Sequence, residues 1–210
     1  MPSSRADLLS TPGLTDFSEP SAPEGASPYV DGAGPALDVR VVDPDPAWPS
    51  RAAAEIARIR AVLGTTVVDI EHVGSTSVPG LPAKPVLDLD LLVADPDDER
   101  AYASRLQEAG YRLVVREPWW YRHRLFRGTR PAVNLHVYGP ESAESARQRL
   151  FRDWLREHPD DRDRYAAAKR EASSRSAAAG EHVQDYNLRK QAVLREIYGR
   201  LFEEAGLRRP

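Results

Sequence analysis

The sequence contains no cysteine. That removes disulfides, thiolate zinc sites and a thiol nucleophile together. It also lacks any apolar run approaching the roughly 20 residues of a membrane span, and its start has neither the basic residues nor the apolar block of a secretory signal. A cytoplasmic protein without a membrane partner is the expectation. Charge of one sign is scarce too: 29 basic and 32 acidic residues leave a formal net charge of −3, so no field gathers nucleic acid from a distance. With no groove-reading motif either, specific nucleic-acid binding is not expected. Among the basic residues only Lys84, Lys169 and Lys190 are lysines. In a chain that uses arginine habitually, a lysine is a hint that a compact point charge is wanted.

At 210 residues the chain is long enough for one domain with a real core. Residues 1–36 carry proline and glycine throughout and show no period of 2 or 3.6, which points to a disordered tail. The folded unit then runs over 37–210. "LDVRVVDPDPAW" reads as a short alternating strand stopped by prolines; Pro49 opens a helix whose Ala53, Ile56, Ile59 and Leu63 recur at helical spacing. "TTVVDIEHV" and "VLDLDLLV" read as strands, "DDERAYASRLQEAG" as a helix and "YRLVVREP" as a strand. "WWYRHRLFRG" and "AVNLHVYG" form a further pair around a Gly-Thr-Arg-Pro turn. From about 142 to 206 the pattern is helical, with Leu150, Phe151, Trp154 and Leu155 in one stripe and Leu188, Val193, Leu194, Ile197 and Leu201 in another. The fold class expected is α+β, a mixed sheet flanked by helices with a helical C-terminal part.

Chemistry concentrates in "EHVGSTSVPGLPAKPVLDLDLLV", Glu71 to Val93. Side chains two apart in a strand share a face, so Asp88 and Asp90 point one way and Leu87, Leu89 and Leu91 the other. Two ionised carboxylates about 4 Å apart repel by about 4 kcal/mol at an effective dielectric of about 20, which a cation relieves. Hard oxygen ligands beside a phosphate site suit Mg²⁺; alternatively Asp88 is a satisfied strand end and Asp90 faces solvent. Upstream, Gly74 lets a phosphate approach the backbone, while Ser75, Thr76 and Ser77 offer hydroxyls and N–H groups for an anion nest and Lys84 supplies charge. Taken alone, a serine-rich turn is also an ordinary satisfied loop.

That segment, with "DPDPAW" before it and "NLHVY", "FRDWLREHP" and "YNLRKQAV" after it, resembles the GrpB family of the nucleotidyltransferase-like fold superfamily. The resemblance covers roughly Val39 to the C-terminus. It implies a polymerase-beta-like mixed sheet with a site built on the Gly74–Ser75 turn, Asp88 and Asp90, in which the turn holds a triphosphate and the aspartates hold metal. In some bacteria a similar domain is fused to dephospho-CoA kinase. The superfamily places a third carboxylate on a later strand, whereas "AVNLHVYG" offers Asn134, His136 and Tyr138. His136 is then either a metal ligand through a neutral imidazole nitrogen, or the base for the acceptor hydroxyl, or a structural hydrogen-bonder.

Weaker candidates surround this motif. His72 either orients the turn or reaches substrate. Arg122, Arg124 and Arg127 in an aromatic-basic stretch read as a phosphate-gripping face or as a solvated sheet edge. Arg149 and Arg152 either aim at a phosphate or are solvated. Tyr186 and Lys190, four apart on a helix, either close over a nucleotide or pack on each other. The function this adds up to is Mg²⁺-dependent transfer of a nucleoside monophosphate from a nucleoside triphosphate to an unnamed small acceptor. Asp88 and Asp90 hold the metal, Ser75 and Lys84 the β- and γ-phosphates, and His136 assists. A non-catalytic nucleotide- or CoA-precursor-binding module is the alternative, and a metal-assisted phosphate-ester hydrolase the next. The sequence says nothing of oligomeric state.

Overall fold

The computed structural model describes residues 4–18, 20–37 and 39–207; Met1–Ser3, Glu19, Asp38 and the last three residues lie outside. The architecture grows from one apolar strand pair. β2 (Leu87–Leu92) runs parallel to β5 (Ala132–Tyr138), and around them the sheet takes the order β1-β2-β5-β4-β3, with β1 (Asp69–Val73), β4 (His123–Thr129) and β3 (Arg112–Glu117) joined antiparallel. A parallel pair needs a long crossover. Here it consists of the short helix α3 (Ala103–Glu108), β3 and β4.

The alternation expected for β2 holds. Leu87, Leu89 and Leu91 are buried with Val133, Leu135, Val137, Ile70 and Phe126 in one core, against helix α2 (Trp48–Leu63) and Leu106 of α3. The α2 stripe runs Trp48, Ala52, Ile59, Leu63, so that Ala52 is inside and Ala53 exposed. The opposite, polar face is covered at β1 by α4 (Ala143–Glu157), with α5 (Pro159–Ala179) and α6 (Val183–Glu204) behind it in a second core of Leu150, Trp154, Leu155, Tyr165, Ile197 and Leu201. Ser142 caps α4, its hydroxyl accepting the Ser145 N–H at 3.3 Å. α5 starts with Pro159 in its first turn and ends on Gly180 in the left-handed region, so both ends follow the usual proline-first, glycine-last asymmetry.

Several elements differ from the sequence reading. The described part of residues 1–36 packs on the body: α1 (Arg5–Leu9) lies against α4, Leu14 is buried in the second core, and Tyr29 bridges to Val115. The reason is that Leu8, Leu9, Leu14 and Phe17 supply an apolar contact without any period. The strand expected at "LDVRVV" shrinks to one bridge, Val42 to Ala83. The helix expected from Asp97 begins only at Ala103, because Asp97 and Glu99 are turned onto Arg124. Leu188 is 66% exposed: two residues beyond the inward-facing Tyr186, it lies about 200° round the helix.

Candidate functional site

Gly74 ends β1 and opens a single 3-10 turn, Ser75–Ser77, with φ 66° and ψ −171°, a backbone state that only glycine adopts easily. The turn faces β2. A Cβ at Gly74 would lie 2.8 Å from Asp88 Cβ and 3.0 Å from its Cγ, so the carboxyl of Asp88 occupies the space that the missing side chain leaves. Within the turn, Ser77 Oγ donates to Gly74 O at 2.5 Å, and Thr76 Oγ1 contacts His72 Nε2 at 2.9 Å and Val86 O at 3.4 Å. Thr76 and Ser77 are buried and bonded inside the turn, so their hydroxyls brace it and do not face a ligand. Ser75 is half-buried. His72 orients the turn: burial, with Arg156 and Arg152 adding to it, pushes its pKa down to about 4, so the ring is neutral.

Asp88 and Asp90 share a face of β2 but not an environment. Asp88, its side chain 30% exposed, accepts from Asn134 Nδ2 at 2.9 Å. Burial raises its pKa, against the pull of the Asn134 amide and of Lys84, Lys169 and Lys190. Asp90 is fully buried, and neither carboxylate oxygen has a hydrogen-bond partner among the described residues. Burial pushes its pKa up to about 8, with the neighbouring Ser145 and Arg149 pulling the other way. Near neutral pH its carboxyl is therefore largely protonated. Asp88 is in part satisfied, by the Asn134 amide, and looks onto the turn, whereas Asp90 does not face solvent but lies buried under α4.

His136 pairs in register with Asp90 and belongs to a chain of polar contacts. Glu117 Oε2 lies 2.8 Å from His123 Nδ1, His123 Nε2 lies 3.0 Å from His136 Nδ1, and His136 Nε2 lies 4.0 Å from Asp88 Oδ1. Because a carboxylate only accepts, His123 donates from Nδ1 to Glu117, and at the other end of the chain His136 turns its Nε2 toward Asp88. Burial, with His123 adding to it, brings the His136 pKa down to about 3, so the ring offers a lone pair but holds a proton poorly. Among the described residues no group of three or more His, Asp or Glu is arranged to hold a metal ion. Asp88, Asp90 and His136 thus do not form a closed three-ligand cage.

On the helical side, Tyr186 and Lys190 come together as the spacing suggests, and Tyr165, Lys84 and Lys169 join them. Lys190 Nζ lies 5.4 Å from the Tyr186 ring centroid, 5.7 Å from that of Tyr165 and 3.3 Å from the Tyr165 hydroxyl. Lys84 Nζ lies 5.4 Å from the Tyr186 centroid and Lys169 Nζ 5.5 Å from that of Tyr165. All three lysines of the chain gather where they act on Asp88. Lys169 and Tyr165 were not singled out as site residues, and the signal for Lys169 was the rarity of lysine itself.

The arginines belong elsewhere. Arg124, 4% exposed, is held by Glu99 and Asp97 at 2.9 Å each, and in register with Val137 it sits on the apolar side of the sheet. Arg127 pairs with Asn134 on the other side, because positions three apart in a strand alternate faces. Arg122 precedes β4 and pairs with Asp95 and Glu141. Arg122 and Arg124 are thus tied up in ion pairs at the sheet's far end, and Arg127 reaches the Gly34 carbonyl at 3.4 Å, so the three do not form one face. Arg149, 1% exposed, bonds Asp69 at 2.8 Å and Glu71 at 3.1 Å, and Arg152 bonds Glu71 and the His72 carbonyl. They tie α4 to β1 and are not aimed at a ligand. Two open surface cavities, one lined by Trp154, His158 and Arg200 and one by Phe17, Arg195 and Glu203, lie away from Asp88.

Comparison with known proteins places this geometry. The GrpB protein family model matches residues 38–200. A UPF0157 protein of Halalkalibacterium halodurans is 43% identical over 162 residues, 77% of this chain and 82% of that protein, and a UPF0157 protein of Streptomyces coelicolor is 41% identical over 157 residues, 75% and 82%. A dephospho-CoA kinase of Mycolicibacterium paratuberculosis is 29% identical over 193 residues, 80% of this chain but 47% of that protein. The crystal structure of conserved protein GrpB from Enterococcus faecalis superposes with a TM-score of 0.68 at 24% identity, over 79% of this chain and 99% of that one. The fold class is the one expected, α+β with a mixed sheet flanked by helices and a helical C-terminal part.

Proposed function

The chain belongs to the GrpB family, and from that premise we propose that it is a cytoplasmic nucleotidyltransferase-like protein. In this reading it binds a nucleoside triphosphate with Mg²⁺ and passes the nucleoside monophosphate to a small hydroxyl acceptor, releasing pyrophosphate. The observation that carries the reading is the packing of the Asp88 carboxyl into the space above Gly74, which joins the acid of one strand to the hydroxyl-bearing turn after the other. In keeping with the cytoplasm, no helix among the described residues is long and apolar enough to cross a membrane.

The residues fit Mg²⁺, which asks a protein for one or two carboxylates and takes its remaining ligands from phosphate oxygens and water. The Asp88 carboxyl beside the turn, the His136 nitrogen 4.0 Å from it and the buried, unpartnered Asp90 carboxyl, which would give up its proton to the ion, are the fitting features. Asp88, with Asp90 behind it, would hold the ion, which when bound polarises the reacting phosphoryl group. Ser75 and the backbone of the turn take a phosphate, and Lys84 neutralises the next. His136, held by His123 and Glu117, turns its Nε2 toward Asp88. With a pKa near 3 it suits a ligand or hydrogen-bond acceptor better than a base. Titration calorimetry with ATP, GTP, CTP and UTP, with and without Mg²⁺, tests this against an Asp88→Asn, Asp90→Asn double variant. Heats that depend on metal and on both acids are expected; indistinguishable heats sink the reading.

One observation favours a second reading, a non-catalytic module for nucleotides or CoA precursors. Where the superfamily carries a third acid, β5 carries a histidine whose pKa is too low for a base. Relatives named dephospho-CoA kinase are consistent with such a role beside a catalytic unit. Incubation with labelled triphosphates and small metabolites separates the two: label transfer or pyrophosphate release marks the enzyme, and binding without turnover marks the module. Release of inorganic phosphate instead marks a hydrolase.

A further inference from the structure

Lys169 lies in the middle of α5, 2% exposed, and its ammonium has no hydrogen-bond partner among the described residues. Burial, with Lys190 and Lys84 adding to it, drives the Lys169 pKa well down; a buried amine without a partner is costly, and an anion bound against it would restore its charge. The electrostatic neighbours are two more cations, Lys190 and Lys84, and one acid, Asp88. The two tyrosine rings tie the cluster together, Tyr165 touching Lys169 and Lys190, and Tyr186 touching Lys190 and Lys84. Both rings are buried, so the lysines converge on a fixed wall and do not spread over a solvated surface.

We propose that Lys169, Lys190 and Lys84, set on the Tyr165 and Tyr186 rings beside Asp88, form a binding site for a linear phosphate chain, with the buried Lys169 as its innermost contact. The proposal rests on the phosphate-binding half of the function above and names what that half grips: successive phosphate groups, not the base or the sugar. Lysine suits the task because it is a compact point charge that can meet phosphate oxygens from one side without the planar fork of arginine. A single phosphate would leave the cluster with excess positive charge; two or three phosphates in a row match three ammonium groups next to one carboxylate. A triphosphate on a nucleotide and a free polyphosphate share this chemistry.

The test uses inorganic tripolyphosphate, pyrophosphate and orthophosphate, at fixed ionic strength and with EDTA present, titrated into the full chain and into Lys169→Met. Wild type should bind tripolyphosphate most tightly and orthophosphate least. Lys169→Met should weaken tripolyphosphate by about tenfold to a hundredfold, the scale of one charge-assisted contact, while its ligand-free melting temperature stays level or rises. Lys190→Gln, at a half-buried position, supplies the same binding readout if Lys169→Met does not fold. Equal affinity for the three anions, or unweakened tripolyphosphate binding by both variants, overturns the proposal. ATP distinguishes the two claims. Lysine-dependent tripolyphosphate binding with no label transfer from any triphosphate leaves the site standing and removes the transferase; transfer with an unchanged KM for ATP in Lys169→Met does the reverse.

Discussion

Replacing Gly74 by alanine tests the contact on which the site is built. The residue has φ 66° and ψ −171°, where a side chain strains the backbone by about 1–3 kcal/mol. The added methyl would also overlap the Asp88 carboxyl and lie 2.8 Å from its Cβ, so either β2 or the turn must shift. Together these give a destabilisation of about 2–4 kcal/mol, a fall in Tm of roughly 5–15 °C for a chain of this length. Backbone strain and collision separate in a double-mutant cycle. Asp88→Ala removes the carboxyl but keeps Cβ, so Gly74→Ala should cost about 1 kcal/mol less in that background than in wild type. Urea denaturation followed by circular dichroism reads all four proteins. If the two substitutions are additive within about 0.3–0.5 kcal/mol, Asp88 does not press on the turn and the site as described does not exist.

Other consequences follow from single groups. Asp90 is raised from 3.8 to about 8 in the fold, so the native state binds more protons than the unfolded one between those values and stability drops as pH rises through that window. The ceiling of that loss is about 6 kcal/mol at about 1.36 kcal/mol per unit. Relative to Asp90→Asn, wild type should therefore lose several kcal/mol between pH 4 and 9, and parallel urea midpoints across that range would refute a dry, uncompensated Asp90. Arg149→Met leaves Asp69 and Glu71 under α4 without their shared cation and should cost about 3–5 kcal/mol; a loss below 1 kcal/mol in chemical denaturation would show that Arg152 and Arg60 suffice. The Glu117–His123–His136 chain restrains the rings: ¹⁵N NMR should show a single His136 tautomer in wild type and a mixture in Glu117→Gln. An unchanged spectrum would detach Glu117 from the site.

Much of the fold can be read locally, since alternation in "VLDLDLLV" and "AVNLHVYG" is a property of neighbouring residues and both became strands facing as their parity requires. The contact between Gly74 and Asp88 was legible for a related reason, a strand ending in glycine-serine beside a strand bearing alternate acids. What depended on distant partners was not. Asp90 can be read as solvent-facing because nothing in its own strand announces that α4 will cover it. Arg124 looked available because Asp97 and Glu99, which claim it, lie more than twenty residues upstream. Lys169 sits in a helix whose apolar residues show little periodicity, and its neighbours Lys84 and Lys190 come from the loop before β2 and from α6. Leu8, Leu9, Leu14 and Phe17 show no pattern, yet they pack their segment onto the second core, where Arg147 bonds its carbonyls.

A crystal structure of the chain with a non-hydrolysable nucleoside triphosphate and Mg²⁺ tests the central claim most directly. The account predicts a phosphate against the Ser75 turn, the phosphate chain running to Lys84, Lys190 and Lys169, and an ion about 2.1 Å from an Asp88 oxygen. A nucleotide bound away from that turn, or one at the turn with Asp88 still bonded only to Asn134 and no ion beside it, would contradict it.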